Sequence, residues 1–359
     1  VVNPGTKHVE GRLGFPGFGI TDARNAGGTY LLEQNADIVA LLDPTTPWQA
    51  ETTWDVRLAD GTGNGSQYAD PVQVVSTGAT SAYLLRYYRN DLVVLDTAPG
   101  AKGGAPTTTI SLDAFVQPGD VDGVVEMTAG VYVPATGRLY VVLGNINQVD
   151  QATNGGVVCG SQVSTVLAID TQTRSVVALG GTGPGGSVAL TYYAPLTAVY
   201  DPAGNRLIVV GGGCASKAVE EAALGPAIRR GVESIDLTTG VSTSLLDLTT
   251  IDFPAGFVAA PSSFTYIDST HAILAFDGTG QAVYSWDPTS PKLGALIPNA
   301  PDVFTYDGAG HLVGARSDTS ASGAKTTDIV SVDISTGVST MIAANVSSLA
   351  GTSYVASVD

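Results

Sequence analysis

An all-β fold, a six- or seven-bladed β-propeller of four-stranded antiparallel blades, is what this 359-residue sequence predicts. Two observations carry that expectation. A strand that ends in aspartate and opens a turn recurs at Asp43, Asp96, Asp170, Asp236, Asp287 and Asp333, at blade-sized intervals of roughly 45 to 75 residues. The strands just before these, such as LIVV and AILAF, are apolar on nearly every residue, which requires burial on both faces. Small sheets packed face to face around an axis supply such burial. A β-sandwich buries one face of each sheet and would show cleaner alternation.

Taken in order, the first unit reads FGIT (18–21), TYLLEQ (29–34), DIVALLD (37–43) and a last strand near 52–58. The second reads VQVVS (72–76), AYLLRYY (82–88), DLVVLD (91–96) and TTTISLDAF (107–115), with a tight junction at Arg89-Asn90. The third has strands at 125–133, 138–144, 164–170 and 175–181, and the link between its middle strands swells to 145–163. The fourth is the cleanest copy: PLTAVYD (195–201), RLIVVGG (206–212), GVESID (231–236) and VSTSLLDL (241–248). Its long insertion contains KAVEEAALGPAIRR (217–230), an inserted helix by its alanines, early acids and late arginines. The fifth unit runs over 262–268, 271–277, 281–287 and 293–298, and the sixth over 302–307, 311–317, 327–333 and 338–344. One repeat array throughout predicts a single domain over 1–359, with 1–16 and 351–359 as ring-closing segments.

LYVVLGN (139–145) with VLAID (166–170), and TYLLEQN (29–35) with IVALLD (38–43), resemble the bacterial YVTN-type surface repeats. LIVVGGG with VESID is similar to the kelch style of blade. The resemblance implies a propeller and is silent on ligand and chemistry, since this fold carries enzymes, adhesins and scaffolds alike.

Composition narrows the partners. Sixteen lysines and arginines stand against 33 aspartates and glutamates, a formal charge of −17. Nucleic acid and anionic lipid are repelled at long range by such a balance, and cations are favoured. No run reaches the 18 or so apolar residues of a membrane helix. A chain beginning Val1-Val2-Asn3 is expected to have lost a leader, so secretion or display at the cell surface is expected. Sequons at Asn64 and Asn345 would suit a glycosylating secretory route.

Cys159 and Cys214, the only two cysteines, fall one in each long insertion. A disulfide between them would close a loop of about 55 residues and stabilise by about 3 to 4 kcal/mol; two unrelated buried thiols are the alternative. The same insertions lie on the face shared by the links between second and third strands and those between blades, which makes that loop face the expected binding surface. Glu220, Glu221, Arg229 and Arg230 on the inserted helix would contact a protein there, or form its solvated side.

Calcium is the expected cofactor, if any. Asp60, Thr62 and Asn64 alternate as in a calcium loop, with Gly65 at the sixth position and Asp70 following, but Pro71 replaces the glutamate of the twelfth. Asp120 and Asp122 occupy the equivalent junction one blade later. Plain glycine-rich turns are the alternative for both stretches. Histidines are scarce (His8, His271, His311), and the last two share a hairpin position, so a Ser-His-Asp device is not expected.

Three functions follow as expectations. The first is a binding or assembly module for a protein or glycan at the loop face. The second is a calcium-dependent hydrolase or lactonase using Asp120, Asp122, Glu126 and Asp302 near the inner ends of first strands. The third is a structural subunit of an extracellular filament or complex. The tyrosine pairs Tyr87-Tyr88 and Tyr192-Tyr193 would stack on sugars or pack in the core.

Overall fold

The computed structural model describes residues 2–3, 8–9, 20–25, 28–34, 36–43, 45–46, 49–57, 68–120, 122–146, 162–213, 230–251, 261–276, 282–319 and 325–344. Six antiparallel sheets follow one another along the chain, each a meander of four successive strands. The chain is a six-bladed β-propeller. Residues 147–161 and 214–229 of the two long insertions, with all but Arg230 of the expected helix, and the closing strand expected at 351–359 lie outside the described residues. Within them helix is confined to three 3₁₀ turns, Asp113–Phe115, Pro184–Gly186 and Leu248–Thr250, and none is long and apolar enough to cross a membrane.

Two compact units divide the chain. Phe15–Ile251 holds blades 1 to 4. Blade 1 comprises Ile20–Asn25, Gly28–Glu33, Ile38–Leu42 and Ala50–Asp55. Blade 2 comprises Pro71–Gly78, Ser81–Arg86, Asp91–Asp96 and Thr108–Ser111. Blade 3 comprises Met127–Val133, Arg138–Leu143, Thr165–Asp170 and Ser175–Val177. Blade 4 comprises Pro195–Asp201, Arg206–Gly211, Gly231–Asp236 and Ser242–Asp247. The second unit, Val1–Gly14 with Asp252–Asp359, holds blades 5 and 6 and a ribbon pairing Val2–Asn3 with His8–Val9.

The apolar second strands are buried on both faces because alternate residues enter different cores. In blade 2, Tyr83 and Leu85 join one cluster with Leu139, Val141 and Leu143 of blade 3. Their neighbours Ala82 and Leu84 point the other way, into a cluster with Tyr30, Leu32 and Trp54 of blade 1. Blade 3 repeats the pattern, sending Tyr140 and Val142 toward Leu207 and Val209 of blade 4. In the second unit Ile273 and Ala275 of blade 5 meet Leu312, Val330 and Val332 of blade 6. Each fully buried aliphatic side chain contributes about 1.5 to 3 kcal/mol, so blades 2 and 3 are each held by both neighbours' apolar surfaces.

All six repeat aspartates do the same work. Each accepts the backbone N–H two residues on, from Thr45, Ala98, Gln172, Thr238, Thr289 and Ser335 respectively. That short-range bond closes the turn after the third strand, which is why aspartate marks the period. A one-residue register shift recurs near the start of the first strand in blades 2 to 5. The outer strand of blade 3 departs from the expected 175–181: Ser175–Val177 and Val188–Ala189 both pair with the third strand, because glycines and Pro184 between them form a 3₁₀ turn instead.

Blade 4 also shows how little room the inner strands leave. A Cβ on Gly231 would lie 2.4 Å from the Leu246 carbonyl oxygen and 2.4 Å from Tyr192 Cζ. Gly231→Ala is therefore expected to cost about 1 to 3 kcal/mol through overpacking, read as a lower denaturation midpoint. An unchanged midpoint would mean that Tyr192 can move aside.

Candidate functional site

The tight links of blades 1 and 2 place polar side chains at the loop face. Asp37 stands just before the third strand of blade 1 in the left-handed region, with φ of 55°. It is fully buried, and its Oδ1 accepts the N–H groups of Ala69 and Asp70 at 2.8 and 3.0 Å, fastening the start of blade 2. Asn90 holds the same place one blade later. Its Oδ1 accepts the Val125 N–H at 3.0 Å, and its amide donates to the Gly123 carbonyl and to Asp113.

A second device repeats at the first strands of blades 2, 3 and 4. The residue before each strand takes a left-handed conformation: Asp70 at 55°, Glu126 at 43° and Ala194 at 47°. That turn aims two successive carbonyls at the end of the second strand. They accept from Tyr87 and Tyr88, from Gly144 and Asn145, and from Gly212 and Gly213. Non-glycine residues held this way cost about 1 to 3 kcal/mol and gather at functional sites. Two of the three are acids.

These residues form a continuous acidic zone across blades 1 to 3. Burial, and then the Asp37 charge, push the Asp70 carboxyl up to about 6. Burial likewise raises Asp37, against the pull of its two backbone donors and the Arg89 and Arg57 charges. Tyr88 lies within the fields of both Asp70 and Glu126, and burial above all raises its phenol. Glu126 is fully buried, and its Oε2 accepts the Ile146 N–H at 2.7 Å. Glu33, at the end of the second strand of blade 1, is also fully buried and raised by desolvation. Neither of its carboxylate oxygens meets a hydrogen-bond donor among the described residues, nor does Asp37 Oδ2.

Tyr87 and Tyr88 are half-buried in this zone, their rings edge to face at 5.1 Å. The other tyrosine pair went to the core: Tyr192 and Tyr193 are buried, and the Tyr192 hydroxyl bonds Ser244. The neighbouring Glu233 is fully buried and accepts the N–H groups of Thr191 and Tyr192. It serves blade 4's own junction.

Of the expected cation ligands, Asp70 is in the acidic zone, while Asp60, Thr62 and Asn64 lie outside the described residues. Asp120 and Asp122 are half-buried in the junction that Asn90 clamps. Desolvation and then the Asp122 charge raise Asp120 to about 7. Asp120 accepts the Asp122 N–H at 3.3 Å and Asp122 accepts the Val124 N–H at 3.1 Å, so both also shape the turn. Among the described residues no three His, Cys, Asp or Glu side chains converge to hold a metal ion. Asp302 belongs to the second unit, where its N–H donates to the Ala315 carbonyl.

Cys159, Cys214, Glu220, Glu221 and Arg229 lie outside the described residues. Arg230 is half-buried at the start of blade 4's third strand, its carbonyl accepting the Leu248 N–H. His271 and His311 each pair with the aspartate of their own hairpin turn, Asp268 at 2.9 Å and Asp307 at 2.8 Å. That is a local turn contact. Asp37, Asn90 and Glu233 escaped the sequence reading, although each breaks or borders an apolar strand, and that interruption is the signal that would have found them.

No protein-family model and no curated protein matches this sequence. Its fold is found among solved structures. A putative 6-phosphogluconolactonase from Bacteroides fragilis aligns over 95% of this chain and 88% of its own, with 11% identity and a TM-score of 0.54. A protein from Lactobacillus plantarum aligns over 96% and 90%, with 14% identity and a TM-score of 0.53. At these identities the likeness is one of fold.

Proposed function

We propose that the chain is a binding module, secreted or displayed at the cell surface, that recognises a neutral glycan at the loop face of blades 1 to 3. The observation that carries this reading is the half-buried Tyr87-Tyr88 pair beside Asp70 and Glu126. Aromatic faces pack against the C–H faces of sugar rings, and carboxylates accept from sugar hydroxyls in charge-assisted hydrogen bonds. Glu33 and Asp37 carry buried oxygens that meet no donor among the described residues, which suits a ligand rich in donors. The carboxyls of Asp37, Asp70 and Glu126 turn sulfated and phosphorylated sugars away from this face.

Calorimetric titration with neutral hexasaccharides (cello-, xylo-, laminari- and chito-oligomers) tests the reading. At least one should bind, and Tyr88→Ala and Asp70→Ala should each weaken it about tenfold or more, the loss of about 1.4 kcal/mol that one good contact supplies. Silence across the panel, or equal affinity in Tyr88→Ala, rejects it.

A second reading is favoured by the same Asp70. A carboxylate titrating near pH 6 suits proton transfer, and the fold is shared with a protein described as a putative lactonase. A neutral aldonolactone is the substrate class that this charge would admit. In a pH-stat assay with and without calcium, base consumption above the uncatalysed rate, lost in Asp70→Asn, supports hydrolysis. Equal rates in both proteins dismiss it.

A further inference from the structure

Strands one and two of each blade turn at one end, and strands three and four turn at the same end, so these turns lie opposite the loop face. There the link between the third and fourth strands of blade 2 makes a long excursion over residues 97–107. This strap lies along the outer strand of blade 1. Gly104 donates to the Thr53 carbonyl at 2.9 Å, Asp55 donates to the Gly104 carbonyl at 3.2 Å, and the Thr52 hydroxyl reaches the Ala101 carbonyl at 3.3 Å. The parallel bridge between Trp54 and Gly104 completes the seam. Gly103 makes the approach possible: its φ is 66°, and a Cβ there would sit 2.1 Å from the Thr53 carbonyl oxygen.

The strap roofs a cavity of about 450 Å³, with Trp54 and Leu95 in its lining, hydroxyls including that of Thr108, and the charged residues Asp96, Lys102 and Arg174. Arg174 comes from the corresponding turn of blade 3. It is held in the left-handed region at 56°, its N–H donating to the Asp170 carbonyl at 2.8 Å, and its guanidinium stands against the buried Tyr83 hydroxyl. Lys102 and Arg174 form no ion pair among the described residues. Asp96 is already engaged by the Ala98 N–H at 3.0 Å.

The concentration of charge is the unusual fact. The chain has 16 lysines and arginines against 33 acids, yet two bases and one acid line this one cavity. Two cations drawn from separate blades, set among hydroxyls, match a ligand with one anionic group and several hydroxyls. The volume is that of a small-molecule site. From the cavity's lining, its size and its charge we propose a second binding site, independent of the loop face, for a small hydroxylated anion: a sugar carboxylate or a sugar phosphate.

Titration with glucuronate, glucose 6-phosphate and glucose tests it, followed by calorimetry and by the backbone resonances of residues 97–107. At least one anion is expected to bind, at least tenfold more tightly than glucose, and whichever is preferred identifies the anionic group. Lys102→Ala and Arg174→Ala should each weaken that anion about tenfold, and raising sodium chloride to about 0.5 M should weaken it further as the charges are screened. Gly103→Val should abolish binding while the circular dichroism of the sheets persists. Glucose binding as tightly as the anions, an anion affinity unaltered in Lys102→Ala/Arg174→Ala, or no binding of either anion would each overturn the assignment.

Discussion

Arg86→Met is expected to lower the unfolding free energy by about 3 to 5 kcal/mol. Arg86 ends the second strand of blade 2 and is fully buried. Its Nη1 donates to the Val56 carbonyl of blade 1 at 3.2 Å, and its Nε and Nη2 donate to the Asp91 carbonyl at 3.3 and 2.9 Å. A planar guanidinium forks across both acceptors at once, which no apolar side chain of that length can do. Methionine fills the space and leaves two interior carbonyls without a donor, each costing about 1 to 3 kcal/mol. Arg86→Lys keeps the charge but presents a point donor, so it should lose roughly half as much. Chemical denaturation of the three proteins measures both effects. Identical midpoints would show that the seam between blades 1 and 2 does not depend on this cation.

The same residue shows what kind of information the sequence carried. Strands were legible because an apolar run with aspartate after it has one local explanation, a doubly buried strand and the turn that ends it. Asp96 and Asp236 needed no knowledge of distant residues to be placed, since each bonds a backbone N–H two positions away. Arg86 satisfies carbonyls 30 residues back and five residues ahead. Nothing in its immediate surroundings distinguishes it from an exposed strand end.

The site divides along the same line. Asp120 and Asp122 stood out because acids beside glycine mark a junction between repeats, and Asp70 because it follows the alternating oxygen-bearing run Asp60, Thr62, Asn64. Asp37 became visible only once blade 2 was seen to begin against it, 32 residues later. The strap over 97–107 leaves no such mark in the sequence, because its partner is the edge of another blade and a parallel bridge to Trp54 has no periodicity. Turn chemistry is written locally, whereas clamps between blades are written in pairs of positions whose separation depends on how long each blade happens to be.

Those clamps have a consequence for pH. Stability should be greatest near pH 4 to 5 and should fall toward both neutral and strongly acid solution. Asp70 and Asp120 are raised, to about 6 and about 7, so the folded chain binds protons more tightly there than the unfolded chain does. The stability they contribute is fully present below the unfolded value near 3.8 and is lost as pH climbs through 6 to 7. Glu33, Asp37 and Glu233, raised by burial, act in the same direction. The turn aspartates oppose them. Hydrogen bonds from Thr45 hold Asp43 at about 2, the Ser335 hydroxyl foremost holds Asp333 at about 2, and the Thr270 N–H does so for Asp268. Their contribution is present above the unfolded value and vanishes as pH falls toward 2. Asp70→Asn separates the two arms. Asparagine tolerates the left-handed backbone and cannot ionise, so it should add about 1 to 3 kcal/mol at pH 8, allowing for partial exposure, and change little at pH 4. Melting temperatures from pH 2 to 9 for both proteins read this directly. A wild-type maximum at pH 7 or above, or a difference independent of pH, would place Asp70 in water and dissolve the acidic zone as a buried site.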